Sequence, residues 1–317
     1  MMRNYDFDAE IDRREVPALK THRVVLGEGG ENLFAAGVAD MDFRVAPPIV
    51  SALRQRTSHE LFGYETVPDG LIPALQVWQA ERHGWHVRTE HILRAPNALN
   101  VLAIAASLFS KPGDGIIVQP PVFFDFFDVI EENGRQVVQN PLILADGCYE
   151  MDFEGLEAIA RDPANKFLFL CSPHNPIGRV WARDELQRVS EICQRHGVLV
   201  VSDELHGDIV YPGNVHVPFA SLGPEAAANS ITILSPAKSF NIASCCSAFT
   251  VVPDEDRRAA FQRENSRLTV NKNNAFANVA MEAAYREGAP WLDAVISYLQ
   301  GNLAVVREAV ASLDAVE

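Results

Sequence analysis

The sequence predicts an α/β fold: a mostly parallel central sheet with helices on both faces. Three observations carry that expectation. Apolar runs of strand length recur along the chain and stop at turn or polar residues. They lack the strict alternation of a sheet with one wet face. Helix-like stretches separate them, which is the pattern of strands joined by crossovers.

Taken in order, "PNALNVLAIAASLFSKPGD" (96–114) is apolar nearly all round. It predicts a buried helix, opened by Asn97 as its cap and closed before Pro112 and Gly113. "GIIVQPP" (115–121) then reads as a strand buried on both faces, as does "KFLFLCSPHNP" (166–176). "RDELQRVSEICQRHG" (183–197) predicts a helix with Leu186, Val189 and Cys193 on one stripe, acids in its first turn and Gly197 after its last. Three further strand-like runs follow, "VLVVSDE" (198–204), "SITILSPAK" (230–238) and "SAFTVVPD" (247–254). No internal repeat, low-complexity tract or obvious linker interrupts them.

Composition narrows the function class. The 317 residues are 48% hydrophobic and 22% charged, ordinary for a soluble globular protein with ample material for a core. A formal charge of −15 argues against nucleic acid or an anionic membrane as partner, since both need a basic face. "MMRNYDFDAEIDRREV" is too charged for the apolar core of a signal peptide, and no apolar run approaches the roughly 20 residues of a membrane span. Five cysteines without a CxxC pair, and nine histidines without an HExxH, predict reduced thiols, a cytoplasmic protein and no metal.

In open α/β sheets, ligands bind beyond the carboxyl ends of the strands. The first strand is followed by an aromatic cluster with Phe123 and Phe124, the second by His174, Asn175 and Arg179. The third delivers Asp203 and His206, and the fourth ends in Ser235 and Lys238. Singly, these have ordinary readings: Asp203 and Glu204 as a helix cap, Asn175 as a turn residue, the phenylalanines as core, Lys238 as a solvated side chain. Together they suit pyridoxal phosphate. A lysine can form a Schiff base with its aldehyde, and an aspartate can keep its pyridine nitrogen protonated so that the ring takes up carbanion charge. An asparagine amide can bond the phenolic oxygen, an aromatic can stack on the ring, and the free N–H groups of a helix start near Asn97 can hold the phosphate.

The same stretches carry a resemblance. "FDAEIDRR", "VADMDF", "FGYETVPDG", "RHGWHV", "KPGDGIIVQPPVF", "SPHNPIGRVW", "SDELHGDIVY" and "SPAKSFNIA" resemble the fold-type I pyridoxal-phosphate enzymes. More narrowly, they resemble the aminotransferase-like carbon–sulfur β-lyases of the cystathionine β-lyase group, over nearly the whole chain. The resemblance implies an aspartate-aminotransferase-like large domain over 46–288, preceded by an N-terminal arm and part of the small domain (1–45). It also implies that 289–317 is the start of a small α+β domain left incomplete. It casts Lys238 as the Schiff-base lysine, Asp203 as partner of the pyridine nitrogen and Asn175 as partner of the phenolic oxygen. His206 falls where related aminotransferases carry tyrosine and the lyases histidine. Phe123 would stack on the ring. The backbone of Ala98 and Leu99 and the hydroxyl of Ser235 would complete the phosphate cup. Tyr64 would reach the phosphate of the neighbouring subunit in a homodimer.

Four departures stand out. "APNAL" replaces a phosphate turn that usually begins with glycine, so Asn97 is expected to tolerate a left-handed backbone. Phe123 replaces tyrosine, and Ser244, Cys245 and Cys246 stand where small residues usually pack. The chain also stops before the part that normally supplies a carboxylate-binding arginine. The implied activity is β-elimination from L-cystathionine or another L-cysteine S-conjugate, a small amino-acid substrate, giving thiol, pyruvate and ammonia. The alternatives are an aminotransferase on the same fold and a cofactor-binding regulatory protein.

Overall fold

The computed structural model describes residues 5–13, 16–30, 33–270, 272 and 274–313. A short helix α1 (Arg23–Leu26) precedes α2 (Pro47–Ser58) and α3 (Leu71–His83). The sheet then begins, in the order β1 (Ile92–Ala95), α4 (Ala98–Phe109), β2 (Gly115–Val118), α5 (Asp125–Glu132), β3 (Gln136–Gln139), β4 (Ile143–Ala145), β5 (Cys148–Glu150) and α6 (Phe153–Ala160). The chain continues through β6 (Asn165–Cys171), α7 (Arg183–His196), β7 (Leu199–Asp203), α8 (Pro224–Ala228), β8 (Ser230–Leu234), β9 (Ala248–Val251), α9 (Glu255–Arg267), α10 (Ala275–Glu287) and α11 (Ala289–Ala311).

Seven strands form one sheet in the order β1-β9-β8-β7-β6-β2-β3, and β4 and β5 form a separate antiparallel pair. The five strands from β8 to β3 run parallel. β9 runs antiparallel to both β8 and β1, so the last predicted strand is present but reversed in sense. β2, β7, β8 and β9 are buried along their whole length, which is why their apolar runs show no alternation.

Helices cover the sheet on two sides. One core cluster joins α4 and α5 to β2, β6, β7 and β8 through Leu102, Phe126, Phe169 and Ile231. Another joins α6 and α7 to the opposite side chains of β2, β6 and β7, through Leu156, Leu186, Leu168 and Val200. Residues such as Phe169, Leu186 and Ile231 are essentially solvent-free, and each contributes about 1.5–3 kcal/mol. A third cluster packs α2, α3, α10 and the first half of α11 together. Phe7 and Phe43 of the N-terminal segment join it, their rings meeting each other at 5.1 Å and each meeting Tyr298 at 5.4 Å.

The caps act as the sequence indicates. Asn97 Oδ1 accepts from Asn100 N at 2.8 Å to open α4. Gly197 closes α7 in the left-handed conformation, φ 69°, which only glycine adopts cheaply. Leu186, Val189 and Cys193 are all buried. Asn97 itself is extended, φ −160°, so the turn before α4 needs no left-handed residue and the expectation of one is corrected.

Candidate active site

The carboxyl ends of β8, β7, β6 and β2 lie side by side, and they present Lys238, Asp203, Asn175 and Phe123 in that spatial order. Asp203 is the last residue of β7, with Cys171 and Ile233 as its partners on the adjoining strands. Its carboxylate is buried, and among the described residues its one hydrogen bond comes from Leu205 N, at 3.2 Å to Oδ1. Burial raises its pKa to about 6, and Lys238 opposes that rise. No helix follows for it to cap: residues 205–208 form a turn. A buried carboxylate with one weak donor has the capacity to accept from a charged N–H.

Lys238 sits in a turn closed by Phe240 N donating to Pro236 O and Ile242 N to Ala237 O, both at 3.0 Å. Its Nζ reaches Ala39 O at 3.3 Å. Ala39 is brought there by Asn241, whose φ of 57° is left-handed. Asn241 Oδ1 accepts from Met41 N at 2.9 Å and its Nδ2 donates to Met41 O at 2.8 Å and Phe43 O at 3.1 Å. This clamp joins "VADMDF" to "SFN". Neither stretch of sequence by itself marks Asn241 for that role.

The charge on Lys238 is felt by three neighbours. Burial lowers the pKa of His206 to about 4, and Lys238 adds to the shift, so the imidazole is neutral near pH 7. Burial raises that of Asp125, the first residue of α5, and Lys238 opposes it. Asp203 is the third. Asp125 is thus within electrostatic reach of Lys238, a relation that its place in an aromatic cluster did not announce.

Asn175 is positioned by a thiol the sequence reading passed over. Asn175 N donates to Cys171 Sγ at 3.2 Å, and Trp181 Nε1 donates to Cys171 O at 3.0 Å. Burial and the Asp203 charge push the Cys171 thiol far up, so it stays protonated. Asn175 and His206 line one cavity of about 490 Å³ with Arg179, Tyr211 and Asn214. Arg179 is held to Glu185 at 2.6 Å and lies over the Trp181 ring. Phe123 is half-buried, packed against Phe124 and Phe126 at 5.3 and 5.9 Å.

A phosphorylated pyridine aldehyde fits these groups. Asn97 caps Asn100, so the N–H groups of Ala98 and Leu99 are without partners among the described residues and form an anion seat at the start of a 12-residue helix. Ser235, just past β8, is engaged elsewhere: its Oγ donates to Ser247 O at 2.8 Å and lies 3.2 Å from Cys246 Sγ, both residues just before β9. Its hydroxyl would have to leave Ser247 O to donate to a phosphate. Burial pushes the Cys246 thiol to about 12. Tyr64 is not brought to this group. Its side chain is fully exposed, lining a surface cavity with Arg56 and Glu282 that no other predicted site residue borders.

Known proteins share this architecture. Cystathionine beta-lyase PatB of Bacillus subtilis (strain 168) is 41% identical over 298 residues, 94% of this chain and 77% of that protein. Protein MalY of Escherichia coli (strain K12) is 33% identical over 309 residues, 96% of this chain and 78% of its own length. The crystal structure of cystalysin from Treponema denticola, which contains a pyridoxal 5'-phosphate cofactor, aligns with a TM-score of 0.93. That alignment covers 98% of this chain and 79% of that one, at 31% identity. Residues 37–316 match the model for aminotransferase class I and II, and the chain belongs to that family.

Proposed function

We propose that this chain is a pyridoxal-phosphate-dependent carbon–sulfur β-lyase, acting on L-cystathionine or a related L-cysteine S-conjugate. The observation that carries the reading is the alignment of Lys238, Asp203 and Asn175 on adjoining strand ends, in a chain 41% identical to a protein named as a cystathionine beta-lyase. When bound, the cofactor supplies an aldehyde carbon for the lysine amine and a ring that accepts the electron pair released at the substrate α-carbon.

The protein's own residues do the rest. Asp203, poorly solvated and poorly bonded, would hold the protonated ring nitrogen by charge. Asn175 and neutral His206, from the ends of β6 and β7, would help to hold the ring, and Phe123 would pack against it. Lys238, with its amine free, would take the substrate Cα proton as a base. The Cβ–S bond then breaks with its electron pair leaving on sulfur, as a thiol after protonation. The remaining three-carbon enamine takes up water to give pyruvate and ammonia.

The exposed Tyr64, with Leu61 and Phe62 also exposed beside it, supports a homodimer in which Tyr64 completes the phosphate seat of a second copy. The packing of Phe7 and Phe43 against Trp291 and Tyr298 supports a division in which 1–45 and 289–317 flank a cofactor-binding domain at 46–288. We also propose a cytoplasmic location; no helix among the described residues is long and apolar enough to cross a membrane.

The test is a visible spectrum of the protein with pyridoxal phosphate, repeated on Lys238→Ala, followed by L-cystathionine with pyruvate as readout. A band that depends on Lys238, with steady pyruvate and no keto-acid acceptor, is the expected result. Turnover that requires an acceptor would replace the lyase by an aminotransferase.

A further inference from the structure

Asp208 is buried beneath the site and has no role in the chemistry above. Its oxygens bond three side chains from two parts of the chain. Trp78 Nε1 donates to Oδ1 at 2.8 Å and His83 Nε2 lies 2.8 Å from the same oxygen; both belong to α3. Ser239 Oγ donates to Oδ2 at 2.8 Å, and Ser239, fully buried, is the residue after Lys238. Burial pushes the Asp208 carboxyl up, but His83, Trp78 and Ser239 together hold it below its ordinary value, so the group stays ionised.

A second acid–histidine pair backs the first. His216 Nε2 lies 3.1 Å from Glu204 Oε2, while Glu204 Oε1 accepts from Ser202 Oγ at 2.9 Å and Phe219 N at 2.8 Å. The rings of His83 and His216 meet edge to face at 5.2 Å. Gly207 makes the approach possible, since a Cβ there would come within 2.9 Å of the His216 ring. One pair holds the residue after Lys238 and the other is anchored on the residue after Asp203. A buried ion contributes little net stability compared with apolar packing of the same volume. What it supplies is direction.

We infer that Asp208 is a positioning residue: through Ser239 it fixes the turn that aims Lys238 at the strand end bearing Asp203. This rests on the reading of Lys238 as the amine that takes the cofactor. The experiment uses the full chain and its Ser239→Ala, Asp208→Asn and double variants, with pyridoxal phosphate as the probe. Lys238 capture is followed by borohydride reduction and peptide mass spectrometry, and kcat and KM for L-cystathionine are measured in parallel.

Ser239→Ala should slow capture and lower kcat by on the order of 10- to 100-fold with KM little changed, as small misplacements of a reacting group do. The double variant should lose less than the product of the two single losses, because the Ser239–Asp208 bond weakened in one is already gone in the other. Wild-type capture rate and kcat in Ser239→Ala, or losses that multiply in the double variant, would overturn the assignment in favour of a purely structural network. A wild-type chain that captures no pyridoxal phosphate at Lys238 would instead remove the cofactor reading, and this assignment with it.

Discussion

Replacing Asp203 by asparagine should make the cofactor-free protein more stable while damaging the cofactor site. The carboxyl has an ordinary pKa of 3.8 and is raised in the fold to about 6, chiefly by burial. The folded state therefore binds the proton more tightly than the unfolded chain does. Stability from this group is complete below about pH 3.8, is lost as pH climbs through about 6, and stays lost above it. A rise of just over two units at about 1.4 kcal/mol each gives a penalty of about 3 kcal/mol at neutral pH. Asparagine keeps the shape and never ionises. The stability difference, variant minus wild type, should grow by up to about 3 kcal/mol between pH 4 and pH 7. His174 and His206, both lowered to about 4 by burial, weaken the fold as pH falls below about 6.5, but they do so in both proteins and cancel. Urea titrations of the two cofactor-free proteins across that range measure the difference directly. A difference that does not change with pH would refute the claim that Asp203 is a buried, underbonded carboxylate. With cofactor added the order should reverse, because an amide cannot hold the ring proton by charge and wild type alone gains the ion pair.

Two further outcomes follow from the packing. Asn97→Ala removes the cap on Asn100 N and should cost about 1 kcal/mol, read as a lower urea midpoint, with weaker cofactor retention because the same helix start forms the anion seat. Gly288→Ala would drive a Cβ into the Phe240 ring and the Ala284 carbonyl where α10 meets α11; a loss of about 1–3 kcal/mol in thermal or urea unfolding is expected, and no loss would show that the junction yields.

Much of this arrangement was legible before any coordinates. β2, β6, β7, β8 and β9 announced themselves because strands buried on both faces leave unbroken apolar runs, and α4 and α7 because their caps are written in Asn97 and Gly197. Edge strands carry no such mark. β1 reads "ILRA" and β3 reads "QVVQ", with half-buried or exposed positions, so neither stands out from its surroundings. The reversed sense of β9 was hidden for a different reason: pairing direction is decided by the connection and its partners, not by the strand's own side chains. In the candidate site, the placement of Lys238, Asp203 and Asn175 at or just past the ends of adjoining strands could be read because each follows an unbroken apolar run. The electrostatic influence of Lys238 on Asp125 and the bonds of Asp208 to Trp78 and Ser239 could not. Those relations join residues far apart in the chain, 130 positions in the case of Trp78 and Asp208.

The clamp of Asn241 on Met41 and Phe43 spans 200 positions of sequence. As the chain leaves the ribosome, the "VADMDF" stretch emerges early and waits through the synthesis of α2 to β8 before its partner exists. Until then its backbone groups at Met41 and Phe43 are left to water, and Lys238 has no Ala39 carbonyl to meet. Closing so long a loop is entropically slow, so it follows the assembly of the sheet rather than leading it. The surroundings of the Lys238 amine are thus completed from both ends of the chain, and its Ala39 contact is gained only after residue 238 itself has been made.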